Sequence, residues 1–323
     1  MRRRDFFRAV GSTAAWPFAA RAQQQTKVAR IGFLGPGYSA TSALRVERMW
    51  AGLRDLGYVQ GKNIVIESRW AEGNYDRLPE LAAELVRLNV DVLVTYGTPG
   101  VLAAKQATTT IPIVMVVVAD AIRSGLVASL SRPGGNLTGQ TFFVPELNAK
   151  RLELLKEALP DSRRIAVLVQ PTNPTPALEM MGLTAKSLGL ELQQFEARRP
   201  DELKGAFSAM VARSVDAVVV VEDPKWFDYA RSIGELVTAQ RLPSIGFLEI
   251  AEAGGLLAYG VDQDEMFVSA AVFVAKILKG AKPAELPVEQ PTRFKFVINL
   301  KTAKALGLTI PYMLSGRADE VIE

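Results

Sequence analysis

Residues 91–118, DVLVTYGTPGVLAAKQATTTIPIVMVVV, carry the hydrophobic pattern that organises the chain. An apolar run over 91–95 reads as a buried strand, and Tyr96-Gly97-Thr98-Pro99 breaks it. Residues 100–108 suit a short helix. The apolar, largely β-branched run 111–118 suits a parallel strand covered on both faces. Pro99 fits the first helical position, where its missing N–H would be unpaired in any case. The phrase recurs at 216–224, DAVVVVEDP, again followed by a helical stretch and an X-Pro strand opening (Ile111-Pro112, Leu242-Pro243). Two such phrases in the same relative place predict two similar α/β lobes.

The rest of the pattern fits. In the first half, strands are predicted at 28–34 and 63–67. A helix carries Val46, Trp50, Leu53 and Leu56 and stops at Gly57, and a second, capped by Asn74, carries Leu78, Leu81, Leu85 and Leu88. A short helix over 122–130, a turn at 133–136 and an extended segment 137–143 follow. In the second half, 164–169, 191–195, 216–221 and 244–247 read as strands, and 178–188, 201–213 and 226–240 as helices. Each half is then a β-α-β-α-β-α-β unit, which handedness rules turn into a doubly wound parallel sheet.

The tail adds a helix capped by Asp262 and ending at Gly280, a strand at 294–298 and a helix at 300–306, too little for a third core. The chain is therefore expected to cross between the lobes near 139–143, 259–262 and 287–293, as a multi-strand hinge. Residues 27–140 plus 261–288 form lobe one on this reading, and 141–260 plus 289–323 lobe two.

Residues 1–22 read as an export signal: a charged start, a weakly apolar stretch over 9–20, and Ala20-Arg21-Ala22 as a cleavage pattern after Ala22. Arg3-Arg4-Asp5-Phe6-Phe7-Arg8 resembles a twin-arginine motif. This leader distorts the charge balance. Subtracting its five arginines from the 38 basic residues, and Asp5 from the 34 acidic ones, leaves 33 of each sign. A basic pI therefore gives no support to nucleic-acid binding. The chain has no cysteine and no histidine, which removes thiol nucleophiles, disulfides, the Ser-His-Asp triad and the commonest metal ligand. No GxGxxG or Walker loop is present. No cofactor, metal or catalytic residue is expected, and the chain is not read as an enzyme.

Ligands bind open parallel sheets beyond the carboxyl ends of the strands. The candidates there are Tyr38, Ser39, Tyr96, Gly97, Thr98 and Asp120 in the first lobe, and Asn173, Glu222 and Asp223 in the second; Phe142 and Tyr259 sit at the crossings. Thr98 with the N–H groups after it suits a carboxylate, or is an ordinary N-cap. Asp120 suits a ligand ammonium, or caps the helix over 122–130. Glu222 and Asp223 repel each other unless a cation or donor lies nearby, and Asp223 has the alternative of capping the helix from Pro224. Asn173, between two prolines, has turn chemistry as its alternative. Tyr38, Tyr96, Phe142 and Tyr259 offer aromatic walls or core.

Several phrases are similar to a known family. They are Arg69-Trp70-Ala71-Glu72-Gly73 with Tyr75-Asp76-Arg77-Leu78-Pro79, Gly97-Thr98-Pro99, TTIPIV at 109–114, RPGGNLT at 132–138, KRLELL at 150–155, INLKTAKALGL at 298–308 and RADEVI at 317–322. They match, in order and over essentially the whole chain, the ABC-transporter substrate-binding protein family that includes tryptophan- and tyrosine-binding members. The family commonly has Asp-Pro where this chain has Asp120-Ala121.

The resemblance implies the type I periplasmic-binding-protein fold, with a three-stranded hinge and a ligand in the cleft. The expectation is an exported, periplasmic, monomeric binding protein. It captures a small molecule, an amino acid or an aromatic or carboxylated metabolite, and hands it to an ABC permease in the inner membrane. The alternatives are a periplasmic sensor that signals to a receptor, and a carboxylate-dependent enzyme. A repressor of the same fold would need a helix-turn-helix ahead of lobe one, and 1–27 is too short and wrongly patterned.

Overall fold

The computed structural model describes residues 28–323 except 143, 175 and 176, so residues 1–22, expected to be an export signal, lie outside the described residues. Two sheets are built in succession. The first half runs β1 (Ala29–Gly35), α1 (Ser39–Asp55), β2 (Ile64–Trp70), α2 (Leu78–Arg87), β3 (Val92–Tyr96), α3 (Gly97–Ala107), β4 (Ile113–Val118) and β5 (Leu137–Thr141). Its strands are ordered β2-β1-β3-β4-β5, all parallel. β3 and β4 are buried along their whole length, as their unbroken apolar runs require.

The second half runs α4 (Val144–Ala158), β6 (Arg164–Val169), α5 (Ala177–Ser187), β7 (Glu191–Glu196), α6 (Pro200–Ala212), β8 (Ala217–Val220), α7 (Pro224–Asp228), α8 (Ala230–Ala239), β9 (Ser244–Gly246), α9 (Leu248–Glu252) and β10 (Leu257–Gly260). Then come α10 (Gln263–Leu278), β11 (Lys295–Asn299), α11 (Leu300–Leu306), α12 (Tyr312–Ser315) and β12 (Glu320–Ile322). Seven strands are ordered β12-β11-β10-β9-β8-β6-β7. One pair, β10 with β11, is antiparallel, because β11 re-enters after an excursion to the first sheet.

That excursion is α10. Asp262 caps it by accepting from the Glu265 N–H at 3.2 Å, and it then covers one face of the first sheet, contributing Met266, Phe267, Phe273, Val274 and Ile277 to that core. Gly52 of α1 lets the two helices approach, since a Cβ there would lie 3.1 Å from that of Ala271. Backbone bonds from Glu289 N to Gly139 O and from Thr141 N to Glu289 O tie the return segment to β5. The chain thus passes between the sheets after β5, after β10 and before β11.

Two expectations fail locally. Residues 122–130 form irregular turns and not a helix, with Gly125 at φ +65°. The single helix over 226–240 is two, α7 and α8, broken at Tyr229.

Candidate ligand cleft

The carboxyl ends of β3, β4 and β5 face those of β6 and β8 across a narrow cavity. It is lined by Tyr96, Gly97, Thr98, Val117, Ala119 and Phe142 from the first sheet side, and by Asn173, Glu222, Asp223, Pro224 and Phe227 from the second. Ala119, Asn173 and Glu222 also line a neighbouring narrow cavity with Val144, Val169, Gln170 and Val221.

On the first side, Tyr96 ends β3 with its ring against Phe33 and Phe267, at centroid distances of 6.2 and 5.5 Å. Its hydroxyl accepts from the Gly37 N–H at 3.0 Å and meets Ser42 Oγ at 3.1 Å, and burial pushes its pKa up. Gly97 then turns the chain at φ +67°, a conformation that costs glycine little. α3 therefore begins at Gly97, two residues before the proline expected to open it. Thr98 is buried in the first turn, and no side chain caps this helix start. Val117, next to last in β4, has φ +51°, a strained state for a β-branched residue, where the pairing of β4 with β5 shifts register. The kink puts Val117 and Ala119 on the cavity wall.

On the second side, the adjacent acids are each provided for. Glu222 accepts both guanidinium arms of Arg151, with Nη1 at 2.8 Å. Arg151 is fully buried on α4, and also donates from Nε to the Tyr259 carbonyl at 2.8 Å and from Nη1 to Asn148 Oδ1 at 3.2 Å. Asp223 accepts from the Lys225 N–H at 2.9 Å, capping α7, from the Tyr75 hydroxyl at 2.8 Å and from Asn173 Nδ2 at 2.8 Å. Burial raises the Asp223 pKa, against the pull of those bonds. The Phe227 ring packs on Phe247 at 4.3 Å, and the Arg45 guanidinium lies 5.4 Å from its centroid.

Of the residues singled out from sequence, Tyr96, Gly97, Thr98, Phe142, Asn173, Glu222 and Asp223 meet at this cavity. The other four sit elsewhere. Asp120 holds the turn after β4, its Oδ1 accepting from the N–H groups of Ile122 and Arg123 at 3.1 and 2.9 Å. Tyr38 packs edge-on against Tyr229 at 5.6 Å and borders an outer cavity with Tyr75, Arg198, Arg199 and Lys225. Ser39 opens α1, its N–H directed at Glu72 Oε1 at 3.3 Å. The Tyr259 ring stacks on Phe294 at 5.8 Å. Val117, Ala119, Pro224, Phe227 and the supporting Arg151 were not singled out. The DAVVVVEDP phrase signalled Pro224 by its place, but nothing in sequence ties Arg151 to a partner 71 positions away.

Among the described residues no cluster of three or more His, Cys, Asp or Glu is arranged for a metal, and no helix is long and apolar enough to cross a membrane.

The comparisons agree with this geometry. The tyrosine-binding protein of Clostridioides difficile (strain R20291) is 28% identical over 259 residues, 79% of this chain and 74% of the relative. A crystal structure of a conserved domain protein from Vibrio cholerae superposes with a TM-score of 0.84 at 30% identity, covering 91% of this chain and all (100%) of that one. An ABC domain from Streptococcus pneumonia in complex with L-Trp superposes at 0.81 and 28% identity, over 90% of this chain and 100% of the other. The fold is that of the type I periplasmic binding proteins, two α/β sheets forming two lobes. The family model described as ABC transporter substrate binding protein matches residues 41–322, and the chain belongs to that family.

Proposed function

We propose that this chain is the exported solute-binding component of an ABC importer, closing two lobes over a small molecule and delivering it to an inner-membrane permease. The observation that carries this reading is the cavity at the facing strand ends, walled by both lobes. Its chemistry favours an aromatic amino acid. Tyr96, Phe142 and Phe227 offer flat apolar surface. The uncapped start of α3, with Thr98, suits a carboxylate. Glu222 lines the cavity and Asp120 does not, so of the two it is Glu222, beside its bonds to Arg151, that is placed to meet an ammonium. The relatives named for tyrosine binding and crystallised with L-Trp point the same way.

The moving bodies are residues 27–140 with 261–288, and 141–260 with 289–323, and the three crossings act as hinge. Closure follows from a ligand that binds the closed form better than the open one. The leader 1–22 directs the chain to the periplasm and leaves Gln23 as the mature start, and the protein acts there as a monomer.

The test is thermal unfolding of the mature chain against L-tryptophan, L-tyrosine, other amino acids, aromatic acids and small amides. A ligand at ~100 times its dissociation constant adds about 2.7 kcal/mol. A shift with aromatic amino acids alone supports the substrate class. A shift with another class replaces it, and no shift with any compound removes the amino-acid reading. Mass spectrometry of the periplasmic protein, expected to begin at Gln23, checks export.

A further inference from the structure

Helix α1 has no cap of its own. Tyr38 stands at its N-cap position without a side-chain cap bond, and the first turn holds no acid. A helix start leaves N–H groups unpaired and favours a negative charge beside them. Here Glu72 of the same lobe takes the Ser39 N–H at 3.3 Å, and the acceptor for the Tyr38 N–H comes from the other sheet. Asp228, the last residue of α7, accepts the Tyr38 N–H on Oδ2 at 3.0 Å and the Thr41 hydroxyl on Oδ1. The carboxylate seats because residue 37 is glycine. A Cβ there would lie 2.8 Å from Asp228 Oδ2 and 2.7 Å from the Tyr96 hydroxyl. The break between α7 and α8 at Tyr229 falls directly after Asp228 and frees its side chain from the helix that follows. Arg45 with Glu249, and Tyr75 with Asp223, join the same two lobes.

We propose that Asp228 is the latch of the closed cleft, a positioning residue that caps α1 across the lobes only when they meet. It is absent from the cavity lining, so it sets how long a ligand stays and not which ligand is chosen. This rests on the reading of the cleft as a site that opens and closes.

Two measurements on the mature chain test it. The first is stopped-flow binding and release of L-tryptophan by wild type, Asp228→Ala, Thr41→Val and the double variant. Asp228→Ala is expected to raise the release rate about 10-fold, the size of one lost N-cap, with the association rate within about 2-fold. Thr41→Val is expected to raise release less, and to add little on top of Asp228→Ala, because the two groups share one contact. A slower association with unchanged release, or fully additive effects, overturns the latch. The second does not depend on L-tryptophan: amide hydrogen exchange at Tyr38 in the chain closed by whichever compound of the unfolding panel shifts it most. Asp228→Ala should cut its protection about 10-fold and leave β3 and β8 amides unchanged, whereas unchanged protection at Tyr38 overturns the cap. If L-tryptophan fails to bind wild type, the ligand reading fails alone, and the exchange result still decides the latch.

Discussion

Replacing Arg151 by Met puts the buried ion pair behind the cleft to a numerical test. The Arg151 side chain is 0% exposed and that of Glu222 8%, so neither charge is screened by water to any useful extent. Removing the guanidinium leaves a carboxylate in the protein without its counter-ion, and also strips a donor from the Tyr259 carbonyl. Breaking one partner of a buried pair typically costs about 3–5 kcal/mol, several times an exposed pair. For a chain of this size that lowers the midpoint by roughly 5–8 °C. Glu222→Gln should cost a similar amount, since it leaves the fully buried guanidinium unpaired. The double variant removes both charges, so it should fall well short of the sum, by about 2–3 kcal/mol of coupling. Urea unfolding of the ligand-free mature chain, followed by circular dichroism, measures all four proteins. An Arg151→Met protein within about 1 kcal/mol of wild type would refute the argument. So would a double variant equal to the sum of the singles.

The remaining predictions concern closure. Gly97→Ala places a Cβ 2.6 Å from Pro224 Cγ at φ +67°, so titration calorimetry with a bound amino acid should show affinity reduced at least about 10-fold, and unchanged affinity would refute the close approach. Burial pushes the Asp228 carboxyl up to about 6, opposed by the Thr41 and Tyr38 bonds and the charge of Arg45, and reinforced by Asp223. An acid whose pKa is raised in the closed form binds its proton more tightly there than in an open, solvated cleft, so acidification from pH ~7 through ~6 should favour closure and slow release, the neutral carboxyl keeping an oxygen to accept the Tyr38 N–H. Asp228→Asn, already uncharged, should flatten that profile, and a variant with the wild-type profile would assign the titration to another group.

Much of this architecture was legible because its signals are local. β1, β3, β4, β6 and β8 are short apolar runs bounded by turn residues, and Asp223 and Asp262 cap where the pattern places them, whereas Asn74 caps the 3-10 turn Tyr75–Arg77 ahead of α2 and not α2 itself. What escaped depends on partners far along the chain. β12 is largely exposed and is a strand only because it pairs with β11. β10 is four residues long, and its role comes from its antiparallel neighbour. α4 hides its periodicity by burying Asn148 and Arg151 at inward positions, which read as surface until Glu222 is found opposite. The helix expected over 122–130 yielded to Asp120, whose side chain satisfies the local N–H groups in a turn instead. At the site, strand ends located seven of the cavity residues. The kink at Val117, which opposes the ordinary preference of valine, has no sequence signal.

The interleaved path also fixes an order of assembly during synthesis. β4 is complete at Val118, yet the apolar face it shares with β1 and β3 is covered by α10, which ends at Leu278. At ~5–20 residues per second the ribosome needs roughly 10–30 s to bridge that gap. Throughout it, the lobe begun first has only α1 over that side of its sheet. The second lobe waits longer still, for β11 and β12 at the far end of the chain. A nascent molecule of this kind depends on holding chaperones until its last tenth emerges, and a truncation before Lys295 should aggregate rather than yield one sound lobe.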